Sequence, residues 1–198
     1  YNEIAASSVY NKQLILDTLE ECVDISLVNL PTFKGHVANA SDNSGSAWGA
    51  VLSQYGKGTV AKVNNLSSTI AAAKADSGVV VTFGDKMVKH DISKRNGILA
   101  QATKISSTKG NDVGHSTENG LWLFFKDAIQ NKIHYDTIFV YSDMQAGHGG
   151  LYGIGSSFVI DGSSFNTKGH YIDVMKLIEH YRKKVNPKCN VFMVQTAG

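Results

Sequence analysis

The stretch Gly35-His36-Val37-Ala38-Asn39-Ala40-Ser41-Asp42-Asn43-Ser44-Gly45-Ser46 decides how the chain is read. Its first half is prone to form a strand. Its second half is rich in turn formers, and it sets a carboxylate and two hydroxyls at alternate positions, Asp42, Ser44 and Ser46. Oxygens at that spacing, on a turn that ends a strand, can point at one place. Three oxygens on one place suit a hard cation such as Mg²⁺, which takes octahedral oxygen ligands and is held by one or two carboxylates.

Asp42 is the only charge in that turn, so a second carboxylate must come from elsewhere. Tyr135 to Ser142 reads as another strand, and Asp143 follows it. Thr117, just before the helical run Leu121, Phe124, Phe125, Ala128, Ile129, can add a third hydroxyl or serve only as a helix N-cap. His115 and His148 lie near the same segments. Imidazole suits softer metals than a hydroxyl-rich site does, so both read as polar loop residues.

Strands and helices alternate outward from this turn. Lys12 to Val28 has an apolar stripe through Ile15, Leu16, Leu19, Cys22, Val23 and Leu27, and Asn29-Leu30-Pro31 ends it. Thr59 to Ala75 predicts a helix with Val60, Val63, Leu66, Ile70 and Ala71 inward, broken at Ser77-Gly78. Val79 to Phe83 is almost wholly apolar, as a strand covered on both faces should be, and Met87 to Asp91 reads as a polar-alternating edge strand. Further helices are expected over Ser93 to Ser106, Thr117 to Asn131 and His170 to Val185, and a last strand over Val191 to Val194. The fold class is α/β: a doubly wound, mostly parallel, Rossmann-like sheet with helices on both faces and one antiparallel edge strand. Ligands bind beyond the carboxyl ends of such strands, where Asp42 and Asp143 both fall.

Between Met144 and Gly169 the periodicity fails, with seven glycines interrupting pieces such as Phe158-Val159-Ile160. So long an irregular stretch reads as a functional excursion rather than core, with room for a hairpin.

The 198 residues are 42% apolar and 18% charged, enough for one α/β domain with a filled core. A net charge of +2, with no long Lys/Arg run, does not mark a nucleic-acid surface, so the chain alone is expected to bind RNA weakly. Cys22 and Cys189 sit beside apolar residues and are expected to be buried free thiols. No apolar run approaches the ~18 residues of a membrane span and no leader is visible, so the expected compartment is cytoplasmic.

The constellation Asp42, Ser44, Ser46, Thr117 and Asp143 resembles the metal-ion-dependent adhesion site of von Willebrand factor type A domains. The lead-in Leu16-Asp17-Thr18-Leu19-Glu20-Glu21-Cys22-Val23-Asp24-Ile25-Ser26, then Asn29-Leu30-Pro31 and the Asp42 turn, resembles the entry to the C-terminal domain of Ro autoantigen (TROVE-module) proteins. Phe83-Gly84-Asp85-Lys86-Met87 and Tyr141-Ser142-Asp143-Met144-Gln145 extend the likeness. It implies residues 1–31 as a lead-in helix and linker from an upstream domain, and 32–198 as a von Willebrand type A domain with an excursion at 144–169. It also implies a divalent cation (Mg²⁺, or Mn²⁺ or Ca²⁺) that accepts an acidic group of a protein ligand, with noncoding RNA held by the missing upstream domain and no catalysis.

Two alternatives remain open. One is a Mg²⁺-dependent phosphoryl-transfer enzyme with Asp42 as nucleophile, though Ser44 stands where a second acid would, and no Gly-rich phosphate loop appears. The other is an adhesion or scaffold module unrelated to RNA.

Overall fold

In the computed structural model the described residues are 1–52, 58–107, 112–114, 118–143, 158–166 and 172–196. The elements are α1 (Asn2–Ala6), α2 (Lys12–Ser26), β1 (Phe33–Asp42), α3 (Gly45–Gly49), α4 (Val60–Ala73), β2 (Ala75–Phe83) and β3 (Met87–Asp91), then α5 (Ile98–Ile105), α6 (Glu118–Gln130), β4 (Thr137–Ser142), β5 (Val159–Ile160), β6 (Ser163–Ser164), α7 (Val174–Lys184) and β7 (Asn190–Gln195).

Five strands form one sheet in the order β3-β2-β1-β4-β7. β1 runs parallel to β2 and to β4, and β4 parallel to β7. β3 returns antiparallel to β2 at the edge, as its polar alternation predicts. Because the chain goes to one side of β1 for β2 and to the other for β4, the switch point lies between the carboxyl ends of β1 and β4. Ser41 pairs with Tyr141 there, so Asp42 ends beside Ser142.

Alternation gives the two faces of β1 different jobs. Ala38 and Ala40 join the apolar core with Ile138 and Val140, under Leu121, Phe124 and Phe125 of α6 and Leu177, Ile178 and Tyr181 of α7. Asn39 and Ser41 face the other way and are fully buried polar residues. The helix that covers them, α4, departs from the expected apolar stripe. Its buried positions include Asn64, Asn65, Ser68 and Thr69, whereas Val63, Leu66 and Ile70 are only half-buried. The polar strand face lies under a polar helix face, joined by Ser41 Oγ donating to Asn65 Oδ1 at 2.7 Å, while Asn39 Oδ1, Asn64 Oδ1 and Ser68 Oγ find no hydrogen-bond partner among the described residues.

Three other expectations need correction. The helix before β2 ends at Ala73, and Ser77-Gly78 lies within the strand instead of breaking it. Gly78 is there because a Cβ would collide with the backbone of Ala72, where α4 comes down onto the sheet. Part of the glycine-rich excursion is core: Phe158, Ile160 and Phe165 of the β5–β6 hairpin are buried, and the Phe158 ring meets Trp122 edge-on at 4.7 Å. The rest of that excursion, 144–157 and 167–169, lies outside the described residues.

Cys189 is buried as expected, but Cys22 is exposed. The reason is how little α2 buries, Leu16 alone within the helix. What α2 does contribute is Glu20, whose carboxylate accepts the Leu99 N–H at 2.9 Å and the Ala100 N–H at 2.7 Å. Those are first-turn amides of α5 without helical acceptors, so an acidic residue from 79 positions away serves as the cap. Gly97 leaves the room, since a Cβ there would strike the Glu20 carboxylate. Glu20→Ala should therefore cost about 1–2 kcal/mol in urea unfolding, the range for a lost charged cap. An unchanged midpoint would mean that the Glu20 cap contributes nothing to the domain's stability.

Candidate metal centre

Asp42 is the last residue of β1, and Ser44 precedes the short helix α3, so the strand-to-helix turn spans only Asn43 and Ser44. Asn43 donates its N–H to Phe83 O at 2.8 Å, which fixes the turn to the end of β2. Asp42 Oδ1 accepts the Ser44 N–H at 2.9 Å, and Oδ2 accepts the Ser142 hydroxyl at 2.8 Å. The same Ser142 Oγ lies 3.4 Å from Asp143 Oδ1. Ser44 Oγ and Ser46 Oγ are 3.1 Å apart. Four of the five expected residues are thus linked in one line of contacts: Ser46, Ser44, Asp42 and, across Ser142, Asp143. The fifth, Thr117, lies outside the described residues, as do His115 and His148.

Asp42 is fully buried, Asp143 half-buried and Ser46 exposed, so the cluster opens toward solvent on the Ser46 and Asp143 side. Burial pushes the Asp42 carboxyl up to about 6, and the nearby Asp143 adds to the rise. The groups opposing that rise are the amide and hydroxyl of Ser44 and the hydroxyl of Ser142, all of them neutral. Ser142 has one hydroxyl proton to offer two carboxylates. Among the described residues, a buried carboxylate whose charged neighbour is another carboxylate fits a divalent cation, which would replace the lost solvation and reverse the repulsion. The donors are all oxygens, which matches Mg²⁺, Mn²⁺ or Ca²⁺ rather than a softer metal.

Behind the turn stands a second layer that the sequence reading missed. Asn64 donates to the Asp42 carbonyl at 3.0 Å. Asn65 accepts from Ser41 Oγ at 2.7 Å and from Asn43 Nδ2 at 2.8 Å, and donates to Asn43 Oδ1 at 2.9 Å and to Ser106 Oγ at 3.0 Å. The signal was Asn64-Asn65 with Ser68-Thr69 inside a helix, four poor helix formers in one segment. Trp48 packs beside Ala47, Val60 and Ala61 and covers core rather than the turn.

The same arrangement of strands and helices occurs in the crystal structure of the Ro (RSR) protein of Deinococcus radiodurans, which superposes with a TM-score of 0.52 over 91% of this chain at 17% identity. The chain shares the fold of a Ro protein. It spans 31% of that protein's length. The Ro-like resemblance of the lead-in and the strand ends thus extends to the backbone, with its mostly parallel sheet, one antiparallel edge strand and surrounding helices. No protein-family model and no characterised protein sequence matches the chain. Among the described residues no helix is long and apolar enough to cross a membrane.

Proposed function

We propose that the chain is a non-catalytic domain that binds the acidic group of a protein ligand through a divalent cation, Mg²⁺ first, with Mn²⁺ or Ca²⁺ as substitutes. Its place is the C-terminal part of a Ro-like cytoplasmic protein, with residues 1–31 leading in from an upstream domain that carries the noncoding RNA. The observation that carries the metal reading is the line of contacts from Ser46 to Asp143 around a buried carboxylate with only neutral support.

In this reading Asp42 and Asp143 supply two negative charges, Ser44 and Ser46 supply neutral oxygens, and Thr117 completes the set. The Ser44 N–H and the Ser142 hydroxyl hold the Asp42 carboxylate, and Asn64 holds its backbone carbonyl. The exposed Ser46 marks the side from which a ligand approaches. When bound, the cation supplies an electrophilic centre for a carboxylate oxygen. A purely binding role is supported by Ser44, which stands two residues after Asp42 where an acid or base would be needed for turnover.

The reading predicts that Mg²⁺ raises the thermal midpoint. At a hundredfold excess over Kd the gain is about 2.7 kcal/mol, or roughly 5–10 °C for a domain of this size. Asp42 must be ionised to bind, so the gain should be full at pH 7.5 and fade as pH falls through about 6. Scanning calorimetry with and without Mg²⁺ at the two pH values checks it. No shift at pH 7.5 would refute the metal reading.

A further inference from the structure

At the far end of the sheet from the metal turn, three cationic residues line one small cavity. Its volume is about 250 Å³, and it is walled by the ends of α2 and α4 and by the loop entering α5. Lys74 stands at the C-cap of α4, and Lys94 and Arg95 belong to the loop. Asp24 and Leu27 close the α2 side, and Gly97 closes the α5 side. A lysine at a helix C-terminus answers the negative end of that helix, which accounts for Lys74. It does not account for Lys94 and Arg95, which are exposed on the loop and share the cavity wall with Asp24. None of the three cations makes a salt bridge among the described residues. The amides of Leu99 and Ala100 are not available here, because Glu20 already takes them.

From this cavity we infer a phosphate-binding site that takes a phosphomonoester dianion. Among the lining residues, three positive side chains against Asp24 leave a formal charge of +2, and the Glu20 carboxylate beside Gly97 is turned to the Leu99 and Ala100 amides. A phosphomonoester carries close to −2 above its second pKa of about 6, whereas a phosphodiester carries −1, so the charge balance selects the monoester. The size selects it too: 250 Å³ lies at or below the small end of ligand cavities, with room for a phosphate and part of its alcohol. The guanidinium of Arg95 offers paired donors to two phosphate oxygens, and Lys74 and Lys94 act as point charges. The site is separate from the metal turn and does not depend on its occupancy.

The test is a ¹H–¹⁵N titration of the whole chain in EDTA at pH 7.5, following the amides of Gly97 and Ile98. Inorganic phosphate and ribose 5-phosphate should shift these amides in a saturable way. Ribose and dimethyl phosphate should not, at the same concentration. Lys94→Gln combined with Arg95→Gln should weaken the binding at least tenfold, and Lys74→Gln alone several-fold, with the rest of the spectrum showing that each variant is folded. A 5′-phosphorylated oligoribonucleotide preferred over its 5′-hydroxyl form would make an RNA end the source. Equal response to the two strands, with ribose 5-phosphate binding retained, would make a small molecule the source. The proposal is overturned if dimethyl phosphate binds as well as ribose 5-phosphate, if the double variant binds unchanged, or if Gly97 and Ile98 do not respond to phosphate.

Discussion

Asp42→Asn is expected to stabilise the cation-free protein at neutral pH while abolishing its response to Mg²⁺. The sign follows from the direction of the shift. The carboxyl titrates at about 6 in the folded chain against an unfolded value of 3.8, so the folded state binds the proton more tightly. Stability from this group is therefore fully present below about pH 4, and is lost as pH rises through about 6. A separation of that size corresponds to about 3 kcal/mol, an upper figure for a single buried group. Asn keeps the acceptor for the Ser44 N–H, and its amide can donate to Ser142 Oγ, so the substitution removes the charge and little else. Urea unfolding in EDTA should show the wild type losing stability between pH 4 and pH 7 and the variant holding it. Addition of Mg²⁺ at pH 7.5 should then favour the wild type alone. A variant that is less stable than wild type in EDTA at pH 7 would show that the neutral groups around Asp42 already hold its charge.

The second large effect is expected at Asn65, which touches no cation in the proposed scheme. Its side chain makes four hydrogen bonds, two of them a reciprocal amide pair with Asn43, the residue between Asp42 and Ser44. Asn65→Ala leaves the buried Asn43 amide and the Ser41 hydroxyl short of partners and should cost about 2–4 kcal/mol. Because Asn43 then has less to hold it, Mg²⁺ affinity should fall about 10–100-fold, as for other residues that orient metal ligands. Asn65→Asp keeps the two acceptor contacts and loses the two donors, so it should fall between. Calorimetric titration with Mg²⁺ alongside urea unfolding separates the two readouts. Unchanged affinity in a folded Asn65→Ala chain would show that the turn is rigid without this helix.

The sheet was legible because its strands obey simple rules. Val79 to Phe83 is apolar on both faces, Met87 to Asp91 alternates, and Asp42 and Asp143 each close a strand. The contacts among Asp42, Ser44 and Ser46 were legible for a related reason: a turn residue followed by alternate hydroxyls carries its geometry within five positions. What the sequence hid were matters of partnership. Periodicity turned α4 toward its apolar stripe, because it scores Asn and Ser as outside, and here Asn64, Asn65 and Ser68 are inside, with Asn64 and Asn65 bonding the strand beneath. Cys22 was placed inside by the same rule, because nothing local tells a helix how little of itself it will bury. The phenylalanines of the β5–β6 hairpin were discounted because glycines surround them, although aromatic area outweighs chain flexibility once a tryptophan such as Trp122 is in reach.

The cap that Glu20 places on α5 makes the docking of α2 measurable one amide at a time. The N–H groups of Leu99 and Ala100 depend on a side chain from another helix, whereas the N–H of Gln101 is satisfied by Gly97 O within the local turn. In deuterated buffer the first two should exchange whenever α2 lifts away, even while α5 and the sheet remain intact. The ratio of their exchange rates to that of Gln101 then gives the free energy of releasing α2 alone. Any partner that grips α2 from outside would appear in that ratio, as slower exchange if it presses the helix down and as faster exchange if it peels it off.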